Sequence, residues 1–219
     1  MRERGTRERS VIESILDEGL LCHVGLLDGD TSVVSPMAYA NVDEILYLHG
    51  APANRVLALL GSGTPACVTV TLLDGLVLAR SAFHHSMNFR SVMLFGVGAS
   101  VEDPAEKLAA STALLDHLAR GRSGDARGPT PAELRATHVV KFPIDEGSAK
   151  VRTGGPKDEP EDLALSVWAG VIPLRLVAGT GVPEPGLPAG TPTPPYALEY
   201  PDRDTAGSSG APKRPGPMP

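Results

Sequence analysis

Polar and apolar residues alternate with a period of two through most of the first hundred positions, and near Asp103 the period lengthens to that of a helix. Before the strands begin, Val11, Ile12, Ile15 and Leu16 recur at helical spacing. They predict a helix opened by Thr6 as N-cap and ended at about Glu18 by Gly19. Strands are predicted over 20–27 and 31–39, joined as a hairpin by Asp28-Gly29-Asp30. Further strands are expected at 44–49, 66–73, 76–82 and 88–101, with Asp74-Gly75 read as a second hairpin turn. Pro36 cannot donate to a ladder, so it marks an edge, a strand end or a bulge.

Asp103 as cap and Pro104 in the first turn begin the next helix, with Leu108, Leu114, Leu115 and Leu118 as its apolar stripe and Arg120-Gly121 as its end. Thr130-Pro131-Ala132-Glu133 has the form of a capping box, and 138–144 reads as a returning strand. From Pro183 the chain is rich in Pro and Gly, too poor in burial to hold itself together, and is expected to be an extended or disordered tail. The organisation expected is one domain over 1–182 and a tail over 183–219.

A chain of 219 residues is long enough for one sizeable core. Its net charge of −6 argues against nucleic acid as the main partner, because a phosphate backbone wants a basic face. No apolar run is long enough to span a membrane, and the start lacks a signal-peptide apolar region, so a cytoplasmic location without a membrane partner is expected. Cys22 and Cys67 stand apart within apolar strand patterns, as buried thiols do, and no metal site is expected.

Two segments carry candidate chemistry. In Tyr47-Leu48-His49-Gly50-Ala51-Pro52-Ala53-Asn54-Arg55 a strand runs into a His-Gly turn and then into a helix with Asn54 and Arg55 at its start. Free N–H groups, a fixed guanidinium and a glycine that lets backbone approach make this a candidate anion site; an ordinary strand-to-helix turn is the alternative. In Ser81-Ala82-Phe83-His84-His85-Ser86-Met87-Asn88-Phe89-Arg90-Ser91, alternation puts His85, Met87, Phe89 and Ser91 on one face and His84, Ser86, Asn88 and Arg90 on the other. A wet edge strand explains this pattern without any ligand and is the default for a single strand.

The order of helix, hairpin, His-Gly turn, basic short helix, Arg90-Ser91-Val92 strand and late Trp168-Ala169-Gly170-Val171-Ile172-Pro173 resembles the flavin-binding split-barrel superfamily. Within it, the chain is most similar to proteins related to pyridoxamine 5′-phosphate oxidase and to nitroimidazole-resistance reductases, over about Ser10 to Val182. The resemblance implies a mainly β fold with flanking helices, an α+β six-stranded antiparallel split barrel of FMN-binding type. It also implies a homodimer with one FMN in each of two interface clefts. Asn54 and Arg55 would hold the phosphate, and His49 and Gly50 would contact phosphate or ribityl. Val33, Val34, Ser35 and Pro36 would lie along the ring, with Arg90 and Ser91 completing the cleft, from the same subunit or its partner.

By the same resemblance His49, ending a Tyr-X-His strand, is the candidate catalytic residue, with a purely binding role as the alternative. Some split-barrel proteins bind haem, for which His49 or His85 is the candidate ligand; His84 and His85 are adjacent on a strand and cannot share one ion. His23, His117 and His138 read as structural or surface residues. Lys150-Val151-Arg152-Thr153-Gly154-Gly155 reads as a solvated hairpin turn. The C-terminal arginine and tryptophan motif of true pyridoxamine phosphate oxidases is missing, and His49-Gly50 replaces their phosphate turn, which argues against that substrate. Two function classes follow. One is an FMN-dependent oxidoreductase that passes electrons from a reduced nicotinamide to a small organic acceptor, with nitroreductase-like chemistry. The other is a flavin- or haem-binding protein without turnover. A deazaflavin reductase is a third, weaker fit.

Overall fold

The computed structural model describes residues 5–200. The chain divides into two compact units, one ending at Leu174 and one starting at Arg175. In the first, the strands are β1 (Gly5–Thr6), β2 (Leu21–Asp28), β3 (Thr31–Val42), β4 (Ile45–Gly50), β5 (Pro65–Leu78), β6 (Ser86–Val97), β7 (Ala99–Ser100), β8 (His138–Pro143), β9 (Glu146–Arg152) and β10 (Gly170–Pro173). Its helices are α1 (Arg9–Glu18), α2 (Arg55–Gly61), α3 (Pro104–Leu118), α4 (Arg122–Asp125) and α5 (Pro131–Arg135). The described part of the second unit, 175–200, holds one helical turn, α6 (Pro195–Leu198), in otherwise irregular chain. The rest of the expected tail, 201–219, lies outside the described residues.

The sheet is antiparallel, ordered β1-β9-β6-β5-β2-β3-β4-β8-β7, with β10 pairing β5. It is a mainly antiparallel sheet with flanking helices, as expected. Among the described residues the sheet holds ten strands where six were expected, and the hydrogen-bonded path stays open. Beyond Val97 the chain passes through Gly98, which packs against Leu60 and Val140, into β7, and β7 pairs β8 at the far end of the path. One segment therefore runs from β6, third in the path, to the strand at its far end.

The β2–β3 hairpin closes through Gly29-Asp30, with Gly29 in the left-handed region. Pro36 sits opposite His23 in β2, at a point where β4 does not yet accompany β3, so the missing N–H falls on an open edge. Inward-facing Cys22, Val24, Tyr39, Val68, Val70, Val92 and Leu94 meet Ile12, Ile15 and Leu16 of α1 in one core. The Tyr39 hydroxyl donates to the Leu16 carbonyl at 2.6 Å.

Several expectations are corrected. Thr6 belongs to β1 and does not cap α1, whose N-cap is Glu8. The predicted strands 66–73 and 76–82 are one strand, β5, and Asp74-Gly75 is a bulge in it rather than a hairpin turn. The bulge turns Asp74 toward Arg90. The segment read as a solvated turn is the end of β9, with Arg152 buried against Asn88. On α3 the buried residues are Ala110 and Leu114, while Leu108 and Leu118 are exposed. The Asp103 cap, Pro104 in the first turn and the Thr130–Glu133 capping box all form.

Arg90 ties three elements together. Its guanidinium donates to both carboxylate oxygens of Glu18 at the end of α1 and to both of Asp74 in the bulge, at 2.8 to 3.0 Å for the Asp74 pair. The hydrogen bonds to Asp74, then those to Glu18, raise the Arg90 pKa above its ordinary value. All three side chains are largely shielded. Arg90→Met leaves two carboxylates facing each other, and is expected to cost about 2 kcal/mol, between an exposed and a buried pair. A thermal melt should fall by roughly 4–8 °C; an unchanged melt would show the cluster to be incidental.

Candidate functional site

Register decides which predicted residues share a face. Met93, Thr69, His23 and Pro36 stand directly opposite one another across β6, β5, β2 and β3, and Phe95, Cys67, Gly25 and Val34 form the next row. Directly paired residues in antiparallel strands project to the same side, here away from the core. This outer face is apolar and bare: Val34 is 69% exposed, Leu27 57%, Phe95 47% and Met93 43%. The outer side of β4 and β8 is covered instead, where Tyr47, Val101 and Val139 pack with Ala110 of α3. Glu106 of α3 fixes that cover by accepting from the Tyr47 hydroxyl at 3.0 Å and from Lys141 Nζ at 3.0 Å. The apolar half of the outer surface that α3 leaves open is the candidate site.

Of the β3 quartet, Val34 and Pro36 lie on this face, whereas Val33 packs against the core and Ser35 turns to the same inner side. Ser91 shares the outer face with Met93, opposite Thr71. Arg90 projects from the other side of β6, into its carboxylate pair. Arg90 and Ser91 therefore do not act together, and along β6 they stand roughly 20 Å from Val97 at about 3.3 Å per residue.

Arg55 lies at the hairpin end of the face. Its Nη2 donates to Asp28 Oδ1 at 2.6 Å and its Nε pairs with Oδ2, while 76% of the side chain stays exposed. Those contacts use one edge of the guanidinium and leave the Nη1 edge open. Asn54 caps α2, accepting from the Leu57 N–H at 3.1 Å, so one first-turn donor of the expected anion site is already engaged. Gly50 has a packing reason: a Cβ there would come within 2.7 Å of Leu57 Cδ1.

His49 ends β4. Leu46 and Leu48 point into the core and His49 points out, exposed, opposite Val139 of β8. Although its ring meets solvent, nearby protein removes enough water to hold the imidazole pKa below the ordinary value. Cys22 is buried, with its thiol pushed up to about 12 by burial, but Cys67 is half-buried on the outer face. His23 and Gly25, at the centre of that face, were missed as site residues. In Leu21-Cys22-His23-Val24-Gly25-Leu26-Leu27 only His23 is polar, so the outward set is largely apolar as well as the inward one, and that is the signal of a strand with a contact surface on each side.

The family model for pyridoxamine 5′-phosphate oxidase matches residues 8–151, more than half of the chain. The chain belongs to the pyridoxamine 5′-phosphate oxidase family. It is similar to the FAD and haem binding protein of Mycobacterium smegmatis, at 36% identity over 88% of this chain and 95% of that one, with a TM-score of 0.85. Similarity to the flavocytochrome Anf3 of Azotobacter vinelandii is of the same order, at 37% identity over 89% and 91%, TM-score 0.84. A candidate 5-nitroimidazole antibiotic resistance protein of Bacteroides thetaiotaomicron is 28% identical over 67% of this chain and 86% of its own, TM-score 0.57. No curated protein matches. Among the described residues no helix is long and apolar enough to cross a membrane.

The lowered pKa of His49 is open to measurement by following its ring protons in an NMR pH titration. Its midpoint should fall below about 6.5, the value of an unperturbed imidazole. The unfolded chain then takes the proton more readily, so the residue's contribution to stability is complete above the unperturbed value and lost as pH falls from there through the folded midpoint. A midpoint at or above the unperturbed value would show that burial does not govern this ring.

Proposed function

We propose that this family member is a flavin-nucleotide-binding redox protein that also takes a haem, and that it works as a homodimer. One feature supports the flavin above the rest: a flat apolar sheet face that ends in a fixed, partly free guanidinium. A flavin nucleotide joins a large flat ring to an anionic phosphate and needs those two surfaces side by side. The ring would lie on the rows containing Val34, Pro36, Gly25 and Phe95. Gly25 keeps the surface low at their centre. The open Nη1 edge of Arg55 would meet the phosphate of the riboflavin phosphate part common to FMN and FAD, while Asp28 keeps the guanidinium aimed. Gly50 and Asn54 shape the turn that presents Arg55. Ser91, at the opposite end of the face, would serve a flavin only across a subunit boundary, and Arg90 has a structural role.

The haem is carried to this chain by likeness to two relatives that bind flavin and haem or are flavocytochromes, at 36–37% identity over nearly the whole chain. When bound, a flavin supplies hydride acceptance and a haem iron supplies one-electron transfer. The protein's own part is to orient, to exclude water and to handle protons. His49, exposed and with a lowered pKa, is the proposed proton-transfer residue. A reduced nicotinamide is the proposed donor. A small nitro compound as acceptor is the second reading, favoured by the 28% identical relative.

The dimer is proposed because Val34, Leu27, Phe95 and Met93 all stand exposed on the same sheet face, and clustered apolar side chains of this kind mark interaction surfaces. A second copy would cover it and wall the flavin. Phe95→Glu should therefore shift sedimentation from dimer to monomer and weaken flavin retention; a wild-type monomer, or a variant that stays dimeric, rejects this interface. Arg55→Ala should weaken flavin binding by about 1.5–3 kcal/mol, the loss of a charge-assisted bond, or roughly 10- to 100-fold in a fluorescence titration. Unchanged affinity would reject the phosphate placement. Chromatography of the acid-released flavin separates FMN from FAD.

A further inference from the structure

The described histidines differ in what their ring nitrogens already do. His117 Nε2 lies 2.7 Å from the Gly19 carbonyl, His138 Nε2 lies 2.9 Å from the Ser100 hydroxyl, and His84 Nε2 faces the Glu159 carboxylate at 3.5 Å. His23 and His49 are exposed, and no hydrogen bond among the described residues fixes either ring. His85 alone combines a fixed ring with an open Nε2. Its Nδ1 lies 3.0 Å from the carbonyl of Ser81. A carbonyl only accepts, so the proton of the neutral ring sits on Nδ1 and the lone pair on Nε2, on an exposed residue. Imidazoles that bind metals are held in this way, with the far nitrogen tied to a carbonyl or carboxylate.

The loop is braced to keep that geometry. Arg80 donates its backbone N–H and its guanidinium to Asp158 at 2.8 and 2.7 Å, and the Asp158 side chain is 1% exposed. The Ser81 hydroxyl accepts from the Phe83 N–H at 3.3 Å, capping a 3-10 turn over Ala82–His84. The turn then hands the chain to β6 at Ser86. Two residues to either side of His85 stand apolar side chains left in water, Phe83 at 88% exposure and Met87 at 51%. Among the described residues no three His, Cys, Asp or Glu side chains gather around a point, so a bare metal ion has no cage. A porphyrin iron needs none, because its macrocycle supplies the equatorial nitrogens and the protein supplies an axial ligand and apolar contact.

We propose that His85 Nε2 is the axial ligand of a haem iron, with the Ser81 carbonyl as the group that positions the ring and Phe83 and Met87 as apolar support for the porphyrin. The proposal rests on the haem part of the function proposed above. The test is addition of hemin to the purified, flavin-loaded full chain, read as the Soret band, the haem-to-protein ratio and the flavin absorbance of the same sample. His85→Ala should bind haem more than roughly tenfold more weakly, keep its flavin, and regain a wild-type-like Soret band when free imidazole is added. His84→Ala and His23→Ala should keep the wild-type band. A His85→Ala protein with an unchanged Soret band and haem ratio overturns the proposal, as does loss of the band in either of the other variants alone. A wild-type protein that binds flavin and takes no hemin overturns this proposal and the haem half of the function, and leaves the flavin half standing. Loss of flavin in His85→Ala together with haem marks a folding defect; His85→Gln then replaces it, with the same outcomes applying.

Discussion

The register of the β6-β5-β2-β3 ladder is the constraint on which the rest of this structure depends. Side chains alternate with a period of two, so placing Val92, Val70, Val24 and their neighbours in the core also decides what the opposite surface shows. A slip of one residue would carry Met93, Thr69, His23 and Pro36 inward and expel the core. The core set is fully buried, and each large apolar side chain in it is worth about 1.5–3 kcal/mol. No surface preference is strong enough to move such a register. The bare outer face is thus a consequence of the core's pairing, and its apolar character is an added property of the same strands.

Charge pairs then fix the borders of that face. Arg90 gathers Glu18 and Asp74 and so joins the end of α1 to the bulge of β5. Glu106 joins α3 to β4 and β8 and sets how far the helical cover extends. Arg80 and Asp158 anchor the loop that leads into β6. Arg55 with Asp28 differs from these because only one edge of its guanidinium is used and most of the side chain stays in water. Exposed pairs of that kind contribute little to stability. A cation whose partner contributes little to folding is available to a competing anion, whereas Arg90, held by two shielded carboxylates, is not.

Under the proposed function the two ends of β6 take different roles. The Val97 end adjoins the β2–β3 hairpin and Arg55, where a phosphate would be held. The Ser86 end adjoins the braced loop of His85, where an imidazole presents a free nitrogen. The two ends would use different chemistry, anion pairing at one and lone-pair donation at the other. Separate substitutions can therefore address them independently.

Much of this was legible in the chain itself. Alternation, turn residues and caps located α1, the β2–β3 hairpin, β4, α3, α5 and β8 because those features depend on neighbours a few residues away. The order of the motifs identified the family for the same reason. Asp74-Gly75 looked like a hairpin turn because turn chemistry is local, while its role as a bulge is set by Asn88 and Phe89 on the next strand. The basic segment at 150 looked like a solvated turn, yet Arg152 is buried because Asn88 faces it from a strand more than sixty residues away in sequence. The site residues divided in the same manner. Their chemical types were visible, but only the tertiary structure decided that Arg55 keeps a free edge while Arg90 has none, that α3 covers half of the outer surface and leaves His23 bare, and that His85 is fixed where His49 is not. Local sequence carries propensity and pattern; which long-range partner satisfies a charge or covers a face depends on chain segments that meet only in the folded state.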